Sequence, residues 1–290
     1  MMALTNKIDF MAIVTVEDAN PNGDPLNGNR PRQHYDNTGF MTPVCIKRKI
    51  RNRLQDMGRK VLIQQNDRSD DGLKSISERL NTVKEIADAR SKKADKSDKT
   101  DKSEVITREA CEVFADVRAF GATIALKDKT AVGVRGPVTI QQAKSIGSVD
   151  IESNQITKST NNEADDTKGS DTMGMQHTVR FGTYVIKGSM NPILAAKTGF
   201  SDQDAADIKE ALRTLFENDE SAARPAGSMN VVRLYWWEQK EDDIRYSTST
   251  ILNTIHIEPL NPEEPAKSIN DFRITENDLP DLKPEVIEGF

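Results

Sequence analysis

Residues 8–16 read Ile8-Asp9-Phe10-Met11-Ala12-Ile13-Val14-Thr15-Val16, and residues 20–32 read Asn20-Pro21-Asn22-Gly23-Asp24-Pro25-Leu26-Asn27-Gly28-Asn29-Arg30-Pro31-Arg32. In the first segment Ile8, Phe10, Ala12, Val14 and Val16 occupy alternate positions, the period of a β-strand. In the second, proline and glycine recur so densely that neither helix nor strand continues. The chain therefore opens with a core strand that empties into a turn-rich loop bearing two arginines.

Working outward, Thr42-Pro43 reads as a helix start, a capping residue followed by proline in the first turn. Ile46, Ile50, Leu54, Met57 and Val61 recur at three- and four-residue spacing and form one apolar stripe, with Gly58 near its end. A second helix is expected over 104–117 on Ile106, Ala110, Val113, Phe114 and Val117. A third begins at Ser201, where Asp204 completes a capping-box pattern ahead of Ile208, Ala211, Leu212, Leu215 and Phe216. Strands are expected at 131–141, 178–187 and 231–237. In chain order these elements give βαββαβ, an α+β pattern of the ferredoxin-like or RNA-recognition (RRM-like) kind.

Two long segments interrupt that pattern. Residues 66–103 end in the run Asp95-Lys96-Ser97-Asp98-Lys99-Thr100-Asp101-Lys102-Ser103, whose composition cannot bury a core, so a mobile insertion is expected. Residues 145–177 are rich in Ser, Asn, Thr and Asp, and a loop of that length in a compact domain is usually functional or disordered. Beyond Glu258, prolines at 259, 262, 265, 280 and 284 mark an extended acidic segment.

With 36% hydrophobic and 30% charged residues the composition fits a water-soluble protein. No apolar run reaches the roughly 20 residues that span a bilayer, and the start MMALTNKIDF lacks a secretory pattern. Cys45 and Cys111 are the only cysteines, too few for a disulfide framework or a zinc site, so a reduced cytoplasm is expected. The net charge of −6 is uneven: residues 238–290 hold 13 acids and 5 bases, whereas the preceding 237 hold 33 and 35. Local patches, not the total, decide whether phosphate binds.

The densest basic cluster is Lys47, Arg48, Lys49, Arg51 and Arg53, with no acid among them. At about 100° per residue Arg48 and Arg51 project away from the apolar stripe, and Lys47 and Lys49 flank it. Such a helix would present a cationic ridge to phosphates; an ordinary solvated face is the plain alternative. In the loop at 20–32, Gly23 and Gly28 would let backbone approach a sugar-phosphate chain closely, with Arg30 and Arg32 as clamps. The loop lacks the GxxxxGK[ST] of a nucleotide-binding P-loop. His34, His177 and His256 are scattered without metal-ligand spacing, so no metal, cofactor or catalytic residue is assigned. His177, near Arg180, is best read as an RNA contact. Asp18 and Asp24 could bind a metal in a ribonuclease, but a turn-forming role accounts for them more economically.

The loop motif from Asn20 to Arg32 resembles the signature of the type I CRISPR Cascade backbone subunits, members of the RAMP superfamily. The likeness continues through Cys45-Ile46-Lys47-Arg48-Lys49-Ile50-Arg51, Asp116-Val117-Arg118-Ala119-Phe120-Gly121-Ala122, Arg135-Gly136-Pro137-Val138 and His177-Thr178-Val179-Arg180-Phe181-Gly182. It covers most of residues 5–260 and is nearest to the type I-C members. The resemblance implies a hand-shaped, modified RRM-like palm over 1–260, finger-like and thumb-like insertions at about 66–103 and 145–177, and an acidic C-terminal tail over 261–290.

It further implies a non-catalytic subunit whose copies stack head to tail along a guide RNA (crRNA), holding its backbone whatever its sequence and leaving its bases to pair with target DNA. Carried over by motif, Lys47, Arg48 and Arg51 would contact phosphates. Asn22, Gly23, Arg30 and Arg32 would support them, with Lys49 in the same cluster and Arg118, Arg135, His177 and Arg180 along the groove. Ile156, Met173 and Met175 are the wedge candidates of the thumb. Pro43-Val44 replaces the small polar residues usual before the basic helix. Implied partners are neighbouring copies, the guide-processing subunit, the large PAM-recognising subunit and a recruited helicase-nuclease. The competing expectation is a metal-dependent endoribonuclease of a related type, with Asp24 as its candidate residue.

Overall fold

A computed structural model describes residues 2–91, 98–125, 131–157 and 173–290, without the side chains of 98–101. Strand β1 (Lys7–Ala19) runs into a loop carrying the two-residue strands β2 (Gly23–Asp24) and β3 (Arg30–Pro31), then β4 (Thr38–Met41) and helix α1 (Pro43–Asp56). A helical lobe follows: α2 (Ile76–Asn81), α3 (Lys84–Ser91), α4 (Asp98–Val113) and α5 (Ala115–Phe120). The hairpin of β5 (Gly121–Ala125) and β6 (Ala131–Arg135) completes the lobe. Next come β7 (Val138–Ile140), β8 (Ala143–Ser148), β9 (Ile151–Thr157), β10 (Met173–Met190), α6 (Pro192–Thr198), α7 (Asp202–Arg213) and β11 (Met229–Gln239). The C-terminal part adds α8 (Thr248–Leu252), β12 (Ile255–Pro259), β13 (Phe272–Glu276) and β14 (Glu285–Glu288).

The result is a mixed α/β chain built on one large antiparallel sheet, ordered β14-β11-β1-β10-β8-β4, with β7 and β9 also paired to β10. β1 lies at its centre: Val14 is opposite Tyr184 of β10 and Val231 of β11. The alternation seen in the sequence sets one face. Phe10, Ala12, Val14 and Val16 pack with Ile46, Ile50 and Leu54 of α1 and Ile208, Ala211 and Leu212 of α7. The intervening positions are buried too, because Met11 and Ile13 pack with Tyr235, Trp237 and, from the C-terminal part, Ile251, Leu252 and Leu282. Both faces of the sheet are therefore covered. The acidic segment 261–290, expected as an extended tail, contributes β13 and β14, and β14 pairs with β11.

Three expectations change. The strand expected over 131–141 divides at Gly136-Pro137: β6 pairs with β5 outside the main sheet, and β7 joins β10. Pro137 has no N–H to offer a ladder, and a Cβ at Gly136 would lie 2.3 Å from the Ala119 carbonyl oxygen, so the chain must turn there in close contact with α5. The helix expected over 104–117 breaks at Phe114, whose backbone is extended, and Ala115 N donates to Lys60 O at 2.9 Å. Within 66–103, residues 76–91 form α2 and α3 around the buried Leu80 and Ile86, in a second core with Leu62, Ile106, Ala110 and Phe114. Leu80, Val83, Ile86 and Ala89 recur at three-residue spacing among many charges, and only packing against α4 makes their stripe effective. Of the run 95–103, residues 98–103 begin α4, and 95–97 lie outside the described residues.

Within 145–177, β9 and β10 form a hairpin registered from Val179↔Ile151 to Met173↔Thr157. Its far end, 158–172, lies outside the described residues. Ile156, Met173 and Met175 are 50%, 64% and 54% exposed along its arms. Among the described residues no helix is long and apolar enough to cross a membrane.

Candidate nucleic-acid interface

Helix α1 begins as the sequence suggests, with Thr42 Oγ1 accepting from Cys45 N at 3.2 Å and Pro43 in the first turn. The preceding loop is tied to this start. Asn22 Oδ1 accepts from Thr42 N at 2.9 Å and from Thr42 Oγ1 at 3.0 Å. Asn20 Nδ2 donates to Asn29 O at 2.6 Å, closing the loop on itself. Gly23 permits the closure, since a Cβ there would lie 2.0 Å from Asn29 Oδ1. Asp24 caps the short turn at 25–27, accepting from Leu26 N at 3.3 Å, and lies 3.3 Å from Arg32 Nη2. Asn22 and Arg32 thus shape the loop, and Asp24 serves the turn.

The cations of α1 do not form the single outward ridge that a helical projection suggests. Lys49 is buried and paired with Asp219, which also accepts from Arg224 Nε at 2.9 Å. Arg51, expected to project outward, is 8% exposed, and its Nε donates to Asp116 Oδ2 at 2.9 Å. Arg53 Nη1 pairs with Asp56 at 2.8 Å. The projection fails because α1 is packed on three sides: the sheet takes the apolar stripe, α5 takes Arg51, and the loop after α7 takes Lys49.

Lys47 and Arg48 remain half-buried with no carboxylate within ion-pair distance among the described residues. Lys47 Nζ lies 5.3 Å from the Phe120 ring centroid and Arg51 Cζ lies 5.0 Å from it. Arg48 Nη1 donates to Ile63 O at 2.7 Å. Burial, and next the neighbouring Arg51 guanidinium, pulls both Lys47 and Arg48 below their ordinary pKa values. Of Lys47, Arg48 and Arg51, only Arg51 has a carboxylate, Asp116, at ion-pair distance among the described residues. Such a cluster favours an arriving anion, which would relieve both the repulsion and the desolvation.

A second group meets at the root of the β9–β10 hairpin. Arg30 Nη1 donates to Ser153 Oγ at 2.9 Å, and His177 Nδ1 lies 2.8 Å from the same oxygen. Arg135 is exposed at the end of β6, opposite Gly121, the residue after Phe120. Two expected groove residues go elsewhere. Arg118 makes a two-pronged bond to Asp204 at 3.0 and 2.6 Å and also donates to Cys111 O at 2.6 Å, joining α5 to α7. Arg180 is exposed in a cavity of about 390 Å³ beside Pro259, Pro262 and Lys267, whose walls include no residue of α1.

Sequence reasoning gave no role to Asp116, Phe120, Ser153 or Asp219. Their partners lie 65, 73, 123 and 170 residues away for Arg51–Asp116, Lys47–Phe120, Arg30–Ser153 and Lys49–Asp219, so no local spacing announces them. Among the described residues no group of three His, Cys, Asp or Glu is disposed to hold a metal. Burial pushes both thiols up, Cys111 to about 11.

CRISPR-associated protein Cas7 of Haloferax volcanii is 28% identical over 166 residues, 51% of this chain and 46% of that relative, so the aligned stretch spans less than half of the relative's length. A chain of a "CRISPR RNA-guided surveillance complex, pre-nicking" is 16% identical with a TM-score of 0.47, covering 80% of this chain and 78% of that one. A chain of a second CRISPR RNA-guided surveillance complex is 17% identical with a TM-score of 0.44, covering 80% and 68%. The family model for CRISPR-associated protein Cas7 matches residues 6–277, nearly the whole chain, and the protein belongs to that family.

Proposed function

We propose that this protein is a non-catalytic subunit of a type I-C Cascade complex that holds the crRNA backbone and oligomerises along it, presenting the guide for pairing with target DNA. The observation that carries the reading is the α1 cluster: Lys47 and Arg48 without a carboxylate partner, beside an Arg51 already neutralised by Asp116. Cations held in place by packing bind phosphate irrespective of base identity, as a subunit serving many guides requires. Arg30 and His177, gathered on Ser153, extend the basic path toward the hairpin.

In this reading residues 1–260 form the palm. The strand order β11-β1-β10-β8, with α1 and α7 on one face, supports a ferredoxin-like core. The α2–α4 lobe serves as fingers, and the β9–β10 hairpin serves as the thumb that reaches the next copy. Residues 261–290 brace the palm from its second face and edge. The partners are crRNA, neighbouring copies, the guide-processing and PAM-recognising subunits and a recruited helicase-nuclease, all in the cytoplasm.

The test is purification of the full chain with and without its crRNA. Bound RNA, seen as excess absorbance at 260 nm and lost in a Lys47→Ala/Arg48→Ala variant that still folds, supports the reading. A folded wild-type chain that takes up no RNA at low salt would sink it.

A further inference from the structure

We propose that Asp116, which cannot touch RNA itself, is a positioning residue for the groove: it sets Arg48 through the backbone of residues 62–63. The inference rests on the RNA-backbone reading above and adds to it a residue behind the surface.

Asp116 is fully buried at the start of α5. Its Oδ1 accepts from Leu62 N at 2.8 Å, and its Oδ2 accepts from Ile63 N at 3.2 Å and from Arg51 Nε at 2.9 Å. Ile63 turns its carbonyl to Arg48, accepting from Nη1 at 2.7 Å. One carboxylate thus fixes the peptide that fixes the guanidinium. Arg48 commits one of its five N–H groups there and keeps the rest for a ligand. The same carboxylate draws Arg51 inward against Phe120, leaving Lys47 and Arg48 as the unneutralised cations of the cluster.

The chemistry requires a carboxylate. Three donors converge on it, two of them backbone N–H groups of a buried segment, and the third is charged. Asparagine would keep one acceptor oxygen and turn an N–H₂ toward Leu62, Ile63 or Arg51, where only donors wait. The 62–63 peptide would then shift, and Arg48 would lose its anchor.

A double-mutant cycle on the full chain separates positioning from bulk support. Dissociation constants for a fluorescent single-stranded RNA are measured for wild type, Asp116→Asn, Arg48→Ala and the combination, with far-UV circular dichroism as the check of folding. Each single change should weaken binding about tenfold, the scale of one charge-assisted contact. The combination should weaken it no further, because Asp116 acts through Arg48. If Asp116→Asn strands Arg51 and fails to fold, the cycle is run in Arg51→Gln/Asp116→Asn, which removes the buried cation with its partner. Additive losses, or unchanged affinity on replacing Asp116, overturn the positioning role. A wild-type chain that does not bind the RNA is a different result, which overturns the RNA reading and this inference with it.

Discussion

Lys47 and Arg51 lie one helical turn apart on α1 and face the same Phe120 ring, Nζ at 5.3 Å and Cζ at 5.0 Å from its centroid. Two like charges four residues apart on a helix ordinarily repel. Here the ring and the Asp116 carboxylate hold Arg51 in place, and Lys47 is left as the member that an anion would complete.

Lys47→Ala and Arg48→Ala should each weaken binding to unrelated RNA sequences by similar factors. Each should also lower the slope of log affinity against log salt by roughly one contact's worth. Lys49→Met, which removes a buried, Asp219-paired cation, should alter stability more than slope. Filter binding at four salt concentrations checks this, and a Lys49 effect on slope equal to that of Arg48 would contradict the assignment.

Binding should also respond to alkaline pH. Burial and Arg51 hold Lys47 below its ordinary 10.5. Between the depressed value and 10.5 the folded chain binds fewer protons at this site than the unfolded chain, so the site's contribution to stability rises with pH across that window. A bound phosphate has the opposite preference and favours the ammonium, so RNA binding takes up a proton and affinity falls as pH rises through that window. An oligoadenylate, whose bases carry no ring proton to lose there, isolates the protein's titration. Lys47→Arg should flatten the alkaline fall, and an equal fall in both proteins would assign the proton elsewhere.

Gly23 and Gly28 should differ sharply. A Cβ at Gly23 meets the movable Asn29 Oδ1 at 2.0 Å and the Asn29 backbone oxygen at 2.9 Å, so Gly23→Ala should swing that side chain aside, shift the Asn29 peptide and weaken RNA binding. Gly28 has φ +56 with nothing within 4 Å of a Cβ, so Gly28→Ala carries only the left-handed backbone cost, about 1–2 kcal/mol. Urea unfolding and RNA titration of both variants provide the comparison. The same RNA affinity for the two would remove the loop from the groove.

Ile251 is wholly buried against the second face of the sheet. Ile251→Ala should destabilise the whole chain by about 2–5 kcal/mol, and fluorescence of Trp236 and Trp237 should report it. A loss within about 0.5 kcal/mol, the range of a surface site, would mean that the C-terminal part is not docked.

Serine at Ile156, Met173 and Met175 should leave the midpoint of unfolding nearly unchanged, because all three are exposed. If the hairpin is the thumb, the triple variant should bind a short RNA with little loss yet form shorter assemblies on long RNA, as seen by electron microscopy. Assemblies of wild-type length would move the thumb off these residues.

What the sequence determined by itself is what short-range physics writes into it. Alternation at Ile8–Val16 announced β1, Thr42-Pro43 announced the start of α1, and Ser201 with Asp204 announced that of α7, because strand period and helix caps are set within a few residues. The motifs from Asn20 to Gly182 pointed to the family before any fold was known. Only the tertiary structure decided which cations face solvent. A helical projection turns Arg48 and Arg51 outward and sets Lys47 and Lys49 beside the apolar stripe, yet Asp116 and Asp219, 65 and 170 residues from their partners, draw Arg51 and Lys49 inward. The second face of the sheet was hidden for the same reason: Met11 and Ile13 are buried by Ile251, Leu252 and Leu282, more than 200 positions later in the chain. Burial depends on what distant segments bring to a surface, and a local pattern records only the face it prepares.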